Sequence, residues 1–259
     1  MASKLLIPIL LGVICILTVV TARENGNFKD SQVISMPTAT AEKNISILVI
    51  QWGYSYCCPK KQQSCCVSPY LAPDFIIHTI WTINSKREFE TNCNGPLFNE
   101  KELSAEVIAY SNLYWPSLNC SYNNVEYWKE MWNVYGRCSG LSQSAWFKLA
   151  IKLFQPDFTV ALLEKGIVPG GKYTEDDFQK ALSLAVGHKV GVLCNRNSAT
   201  GELQLYEALI CYSPDEKEVI DCGHNNLPSP GEENECTGKI ALPRKPCKPT
   251  SFGSCESDA

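Results

Sequence analysis

Several features common in membrane and nucleic-acid-binding proteins are missing from this sequence. No apolar run reaches the roughly 18 residues a membrane-spanning helix needs. Lysine and arginine, 23 together, are outnumbered by 27 aspartates and glutamates, giving a formal net charge of −4. That balance excludes a global attraction for polyanions, because tight, salt-sensitive binding to RNA or DNA depends on clustered cations. The doublet Lys60-Lys61 is too short to change this and reads as solvated surface. Histidine is scarce, with three in 259 residues, so few groups titrate near neutrality. There is no internal repeat. The cysteine doublets Cys57-Cys58 and Cys65-Cys66 lack the two-residue spacing of a zinc site, so no metal or other cofactor is expected.

Present instead, at the N-terminus, are Lys4, the apolar run Leu5 to Val20 and the small-residue pattern Val20-Thr21-Ala22. This order predicts a secretory signal peptide over residues 1–22, with cleavage after Ala22 and a product free of the membrane. Fourteen cysteines fit an oxidising compartment and a disulfide framework, and losing Cys15 with the signal leaves an odd thirteen. Residues 23–44 are polar and aperiodic, a flexible leader. A hydrophobic content of 45% suffices for one sizeable core, placed over 45–243. The final stretch, 244–259, is rich in Pro, Ser and charge and reads as a tail.

Within 45–243, Ser46 to Trp52 and Phe75 to Trp81 read as buried strands. Asn99 with Glu102 reads as a helix start, followed by an apolar face of Leu103, Val107, Ile108 and Tyr110. Trp128 and Trp132 are one turn apart. Trp146, Ala150 and Leu153 mark another helix. Thr174 with Asp177 opens the next, carrying Phe178, Leu182 and Ala185 and ending at Gly187. Lys189 to Cys194, Leu203 to Tyr212 and Lys217 to Cys222 fit an antiparallel set with Ser213 to Glu216 as a turn. Helices beside antiparallel strands predict an α+β domain.

Two segments carry chemical information: FIIHTIW over Phe75 to Trp81, and YWKEMWNVYGRC over Tyr127 to Cys138. Together they resemble the signatures of the ribonuclease T2 family, F-x-I-H-G-L-W-P and W-x-H-E-W-x-K-H-G-T-C. Trp128, Trp132, Gly136 and Cys138 match the frame, and His78 matches the strand histidine. Glu130, Met131, Val134 and Tyr135 stand where the family has His, Glu, Lys and His. The likeness runs from about Ile47 to Pro243, through LVIQW at Leu48 to Trp52, Ser55-Tyr56-Cys57, Asn92-Cys93, the Trp115 to Cys120 stretch and Ile210-Cys211, and is similar to plant S-like ribonucleases. It implies a ribonuclease T2-like α+β fold with an antiparallel sheet, several helices and five disulfides: Cys57–Cys65, Cys66–Cys120, Cys93–Cys138, Cys194–Cys236 and Cys211–Cys222. Cys58, Cys247 and Cys255 are left over. Cys247–Cys255 pairing is expected from their nearness in a flexible segment, with Cys58 free or joining two chains; mass mapping of the non-reduced protein would decide.

The family drives the ribose 2′-oxygen onto the adjacent phosphorus to give a 2′,3′-cyclic phosphate, which needs a base, an acid and cations on the phosphoryl oxygens. By resemblance His78 would protonate the leaving oxygen. Tyr135 takes the base position, although a free tyrosine titrates only near pH ~10. Val134 removes the phosphate-binding lysine, Glu130 puts an anion where phosphate must sit, and Met131 removes a carboxylate. Gln51, Tyr56, Trp81 and Asn92 match positions that seat nucleobases in plant members; alternatively Tyr56 and Trp81 are core aromatics, Gln51 and Asn92 satisfy loop backbone, and His78 packs against the helix as a relic. Two functions are therefore expected to compete: a non-catalytic secreted or vacuolar protein with a storage or defence-related binding role, holding RNA or nucleotides weakly and no DNA, or a residual endoribonuclease in which Glu130 substitutes as base opposite His78. Sequons occur at Asn44, a credible glycosylation site, and at Asn119, where an expected bridge at Cys120 argues against one. Oligomeric state is not encoded.

Overall fold

The computed structural model describes residues 44–57, 74–154, 157–223 and 235–244. The signal segment, nearly all of the leader and tail, Lys60-Lys61, Cys58, Cys65, Cys66, Cys247 and Cys255 lie outside them. In chain order the elements are β1 (Ile45–Trp52), α1 (Gly53–Tyr56), β2 (Phe75–Ile83), β3 (Phe89–Glu90), α2 (Ala105–Tyr114), α3 (Asn124–Val134), α4 (Gln143–Leu153), α5 (Phe158–Glu164), β4 (Lys172–Tyr173), α6 (Glu175–Val186), β5 (Gly191–Arg196), β6 (Leu203–Tyr212), β7 (Val219–Ile220) and β8 (Ile240–Ala241). Helices and an eight-stranded sheet make an α+β fold.

The sheet runs β3-β2-β1-β6-β8-β4, with β5 and β7 also on β6. Its pairings are antiparallel except for a short parallel contact of β6 with β8 at Gln204 and Ala241. β1 is central and buried on both faces. Leu48, Ile50 and Trp52 enter the large cluster shared with the helices, while Ile47 and Val49 enter a second cluster with Ile83, Leu193, Leu209 and the Cys211–Cys222 bridge. This period-two division explains why the segment reads as an almost unbroken apolar run. Each such aliphatic side chain contributes ~1.5–3 kcal/mol on burial.

Tryptophans dominate the main core. Trp115, Trp146 and Phe147 form a mutual cluster with ring centroids 5.0–5.3 Å apart. Most of the buried indoles also find a backbone acceptor: Trp52 donates to Pro243 O at 3.0 Å, Trp115 to His78 O at 2.8 Å, Trp128 to Trp115 O at 2.8 Å and Trp132 to Pro96 O at 2.9 Å. Each indole thus joins apolar packing to a defined link between segments distant in sequence.

Helix α6 begins and ends where expected, with Thr174 and Asp177 in a capping box and Gly187 left-handed at φ 74°. Helix α2 does not. Asn99 caps only a 3-10 turn over Glu100–Glu102, and the helix starts at Ala105 behind Ser104, whose side chain accepts from Val107 N. Two cap-like signals lie five residues apart, and the second wins because Leu103 between them is extended.

Candidate active-site cleft

Helix α3 is fixed at its start by a capping box between Asn123 and Glu126. One face buries Trp128, Met131 and Trp132 in the core. Just beyond its end, a Cβ on Gly136 would lie 2.2 Å from the Trp132 ring, so only glycine lets the chain pass. Cys138 then bridges to Cys93. The frame residues of this segment therefore have a packing reason to be there, independent of any chemistry.

Opposite α3, two bulges shape the sheet. In β2, Val49 pairs with Thr79 and Ile50 with Ile77, leaving His78 as the extra residue. In β6, Leu193 pairs with Glu207 and Cys194 with Leu205, leaving Tyr206 extra. Bulges re-aim side chains and increase local twist. Both displaced residues line a cleft of about 400 Å³ with Gln51, Tyr56, Tyr122 and, from the helix side, Tyr127, Glu130, Met131 and Tyr135. The floor at Tyr56 is held by a buried network in which Asn195 and Gln204 both donate to Ser55 O, at 3.0 and 3.1 Å, while Ser55 Oγ bonds Leu205 O.

His78 is positioned from three sides. Its carbonyl accepts from Trp115 Nε1 at 2.8 Å and from the Tyr127 hydroxyl at 3.2 Å, and its Nδ1 lies 2.6 Å from Glu207 Oε1. Glu207 is 3% exposed and stands beside Gln51 across the β1–β6 ladder. The reading of His78 as packed against the helix omitted this carboxylate, which fixes the ring and leaves Nε2 as the atom available for chemistry. A charged residue inside the largely apolar LQLYEALICY strand is the signal for it.

The sequence-derived site is gathered only in part. Gln51, Tyr56, His78, Glu130, Met131 and Tyr135 line the cleft, whereas Trp81, Asn92 and Val134 do not. Past the His78 bulge, Trp81 faces the second cluster and packs edge-on against Phe89 at 4.7 Å. Asn92 is exposed at φ 55°, and its backbone N–H bonds Val134 O at 2.7 Å. Gln51 lies within β1, is 2% exposed, and its Nε2 has no partner among the described residues. Asn44 is exposed and bonds Glu90 at 3.1 Å. Cys194–Cys236 and Cys211–Cys222 are bridged. Cys57 and Cys120 are bonded as well, their expected partners lying outside the described residues.

The tyrosines show the field inside the cleft. Burial raises the Tyr135 hydroxyl above its ordinary value, Glu207 and Glu130 raise it further, and the nearby Trp81 indole opposes them. Tyr127 is held well above its ordinary value, chiefly by burial, with added repulsion from Tyr56, Glu207 and Glu130. Tyr206 is also held well above, by burial and then Glu207. A phenolate base at Tyr135 is therefore harder to form than in free tyrosine.

Comparison with known proteins fits this geometry. The model of the ribonuclease T2 family matches residues 43–222. The chain belongs to the ribonuclease T2 family. It is 30% identical over 201 residues to the intracellular ribonuclease LX of Solanum lycopersicum, covering 75% of this chain and 81% of that one. It is 26% identical over 183 residues to a ribonuclease-like storage protein of Panax ginseng, covering 68% and 73%. Among solved structures, RNase NT in complex with 5′-AMP superposes with a TM-score of 0.68 at 28% identity, covering 78% of this chain and 98% of that one. No helix among the described residues is long and apolar enough to cross a membrane.

The raised tyrosines predict an alkaline transition. Tyr212, buried and donating to Leu153 O, is pushed up to about 12 from 10.0. Below pH ~10 both folded and unfolded chains keep the proton; above it the unfolded chain releases protons that the folded one retains, so stability is lost as pH rises from ~10 towards about 12. Phenolate absorbance should rise partly in step with loss of tryptophan burial. A single titration of all 11 tyrosines near pH ~10 with the fold intact would contradict this.

Proposed function

We propose that this family member does not cleave RNA by transphosphorylation and serves in the secretory pathway, extracellular or vacuolar, as a storage or defence-related binding protein. One observation carries the reading: the cleft has Glu130 at its wall and Glu207 behind His78, and no lysine or arginine lines it among the described residues. Phosphoryl transfer places growing negative charge on phosphate oxygens, and a site with carboxylates there destabilises the reaction it would have to catalyse. Losing a positioned base costs ~10²–10⁴-fold and losing charge stabilisation a further ~10²–10³-fold, though such losses do not simply add. The signal-like N-terminus and the disulfides support the compartment, and the resemblance to the Panax ginseng ribonuclease-like storage protein supports a storage role.

A second reading has one observation in its favour: His78 and Glu130 line the same cleft, so a carboxylate base and an imidazole acid could act on one substrate at acidic pH. Incubating the purified chain with homogeneous RNA from about pH 4 to 8, around the ordinary Glu and His values, separates the two. The expected result is no cleavage above that of a His78→Ala variant. Turnover with cyclic-phosphate products that vanishes in His78→Ala would establish the second reading. Nucleotide binding, if retained, is expected to be weak, consistent with the net charge of −4.

A further inference from the structure

Five tyrosines line the cleft: Tyr56, Tyr122, Tyr127, Tyr135 and Tyr206. Aromatic faces carry negative charge density and attract cations, especially ammonium groups desolvated between rings. Glu130 is exposed at the wall and adds a full negative charge, with Glu207 and His78 behind it. Glu130 is the one carboxylate in the lining among the described residues, and Glu207 adds a second behind His78. The Gln51 amide, 2% exposed and without a partner at Nε2 among the described residues, presents an N–H donor to the cleft. A buried donor of this kind is satisfied by a hydrogen-bond acceptor on a ligand.

We propose that the cleft binds a small aromatic ammonium compound, its positive group at Glu130 among the tyrosines and a hydrogen-bond acceptor towards Gln51. Its volume of about 400 Å³ is within the range of small-molecule sites. Tyrosine-lined walls favour a flat ring as well as a cation, and Glu130 disfavours phosphates and other anions. Burial is the main cause that raises the tyrosine hydroxyls; Glu130 adds to it at Tyr56, Tyr127 and Tyr135, and Glu207 at Tyr127, Tyr135 and Tyr206. The inference rests on the missing cations that also carry the functional reading.

Calorimetry at low salt with a matched series tests it: tyramine as cation, para-ethylphenol as neutral analogue and para-hydroxyphenylpropionate as anion. Tyramine is expected to bind saturably and at least tenfold more tightly than either analogue. Glu130→Gln, at an exposed position that should not disturb folding, is expected to weaken tyramine at least fivefold and leave para-ethylphenol unchanged; Tyr122→Leu, also exposed, is expected to weaken both. Equal binding of all three, preference for the anion, or no saturable tyramine binding at millimolar concentration would overturn the proposal. RNA cleavage together with tyramine binding would sink the non-catalytic reading alone, whereas absence of both would sink this proposal alone.

Discussion

Replacing Glu130 by His, Met131 by Glu, Val134 by Lys and Tyr135 by His in one chain should yield RNA cleavage at least ~10²-fold above the unmodified protein, the size of effect one positioned acid or base supplies. The frame needed for this is in place. Trp128 and Trp132 seat α3 in the core, and the Gly136 passage fixes the direction in which the chain leaves it. On the facing strand, His78 is already oriented by Glu207, so an acid stands ready opposite the new base at 135. All four changes are needed together: Tyr135→His alone leaves Glu130 repelling the phosphate, and Glu130→His alone supplies no base. Position 134 is the weakest point, because Val134 does not line the cleft and the introduced lysine must reach in along its flexible stem. Catalytic groups need placement within ~0.5 Å. A folded quadruple variant with no cleavage would show that the supporting shell, including the Gln51 and Tyr206 positions, has drifted as well. Cleavage should disappear again when His78→Ala is added, and activity that survives this addition would point to a contaminating nuclease.

How much of this was readable in advance depends on whether the determining forces are local. Helix α6 is legible from end to end because Thr174 with Asp177 states its start and Gly187 its end. The strand Leu203–Tyr212 was equally plain, being a ten-residue β-rich run. Helix α5, FTVALLE, was missed: seven residues with Thr and Val in the first turn carry almost no helical signal, and it exists because Phe158 and Leu162 pack into the core. The two bulges were invisible, since a bulge is a property of register between strands and not of either strand alone. They are also what builds the cleft. Trp81, at a signature position, packs against the second cluster beyond the His78 bulge while its indole still reaches the Tyr135 hydroxyl. Glu207 belongs to no signature, and only the structure places it 2.6 Å from His78. The candidate residues were thus largely legible from motif resemblance, while the electrostatics that decide what they can do come from tertiary neighbours.

Removing the Cys93–Cys138 bridge by a Cys93→Ala, Cys138→Ala double change should cost about 4 kcal/mol of stability, against about 3 kcal/mol for the matching change at Cys211–Cys222. These figures follow from loop closure in the unfolded chain, with sequence separations of 45 and 11. Packing argues for the reverse order. Cys211 is fully buried and Cys222 nearly so, both within the second hydrophobic cluster, whereas Cys93 is only half-buried, so alanine at the 211–222 pair also leaves a void. Urea denaturation of the two variants under non-reducing conditions sets one contribution against the other. A larger loss at Cys93–Cys138 would assign the stabilisation to restriction of the unfolded chain; a larger loss at Cys211–Cys222 would assign it to packing and defeat the prediction. The two bridges differ also in what they hold. Cys93–Cys138 ties the segment after β3 to the turn that follows α3, beside the Asn92 N–H bond to Val134 O. Its loss should loosen the end of α3 and with it Tyr135. Near-ultraviolet circular dichroism should then report altered aromatic packing in the folded state of that variant, and a spectrum unchanged from the parent would show that Trp132 and Gly136 hold the helix end without the bridge.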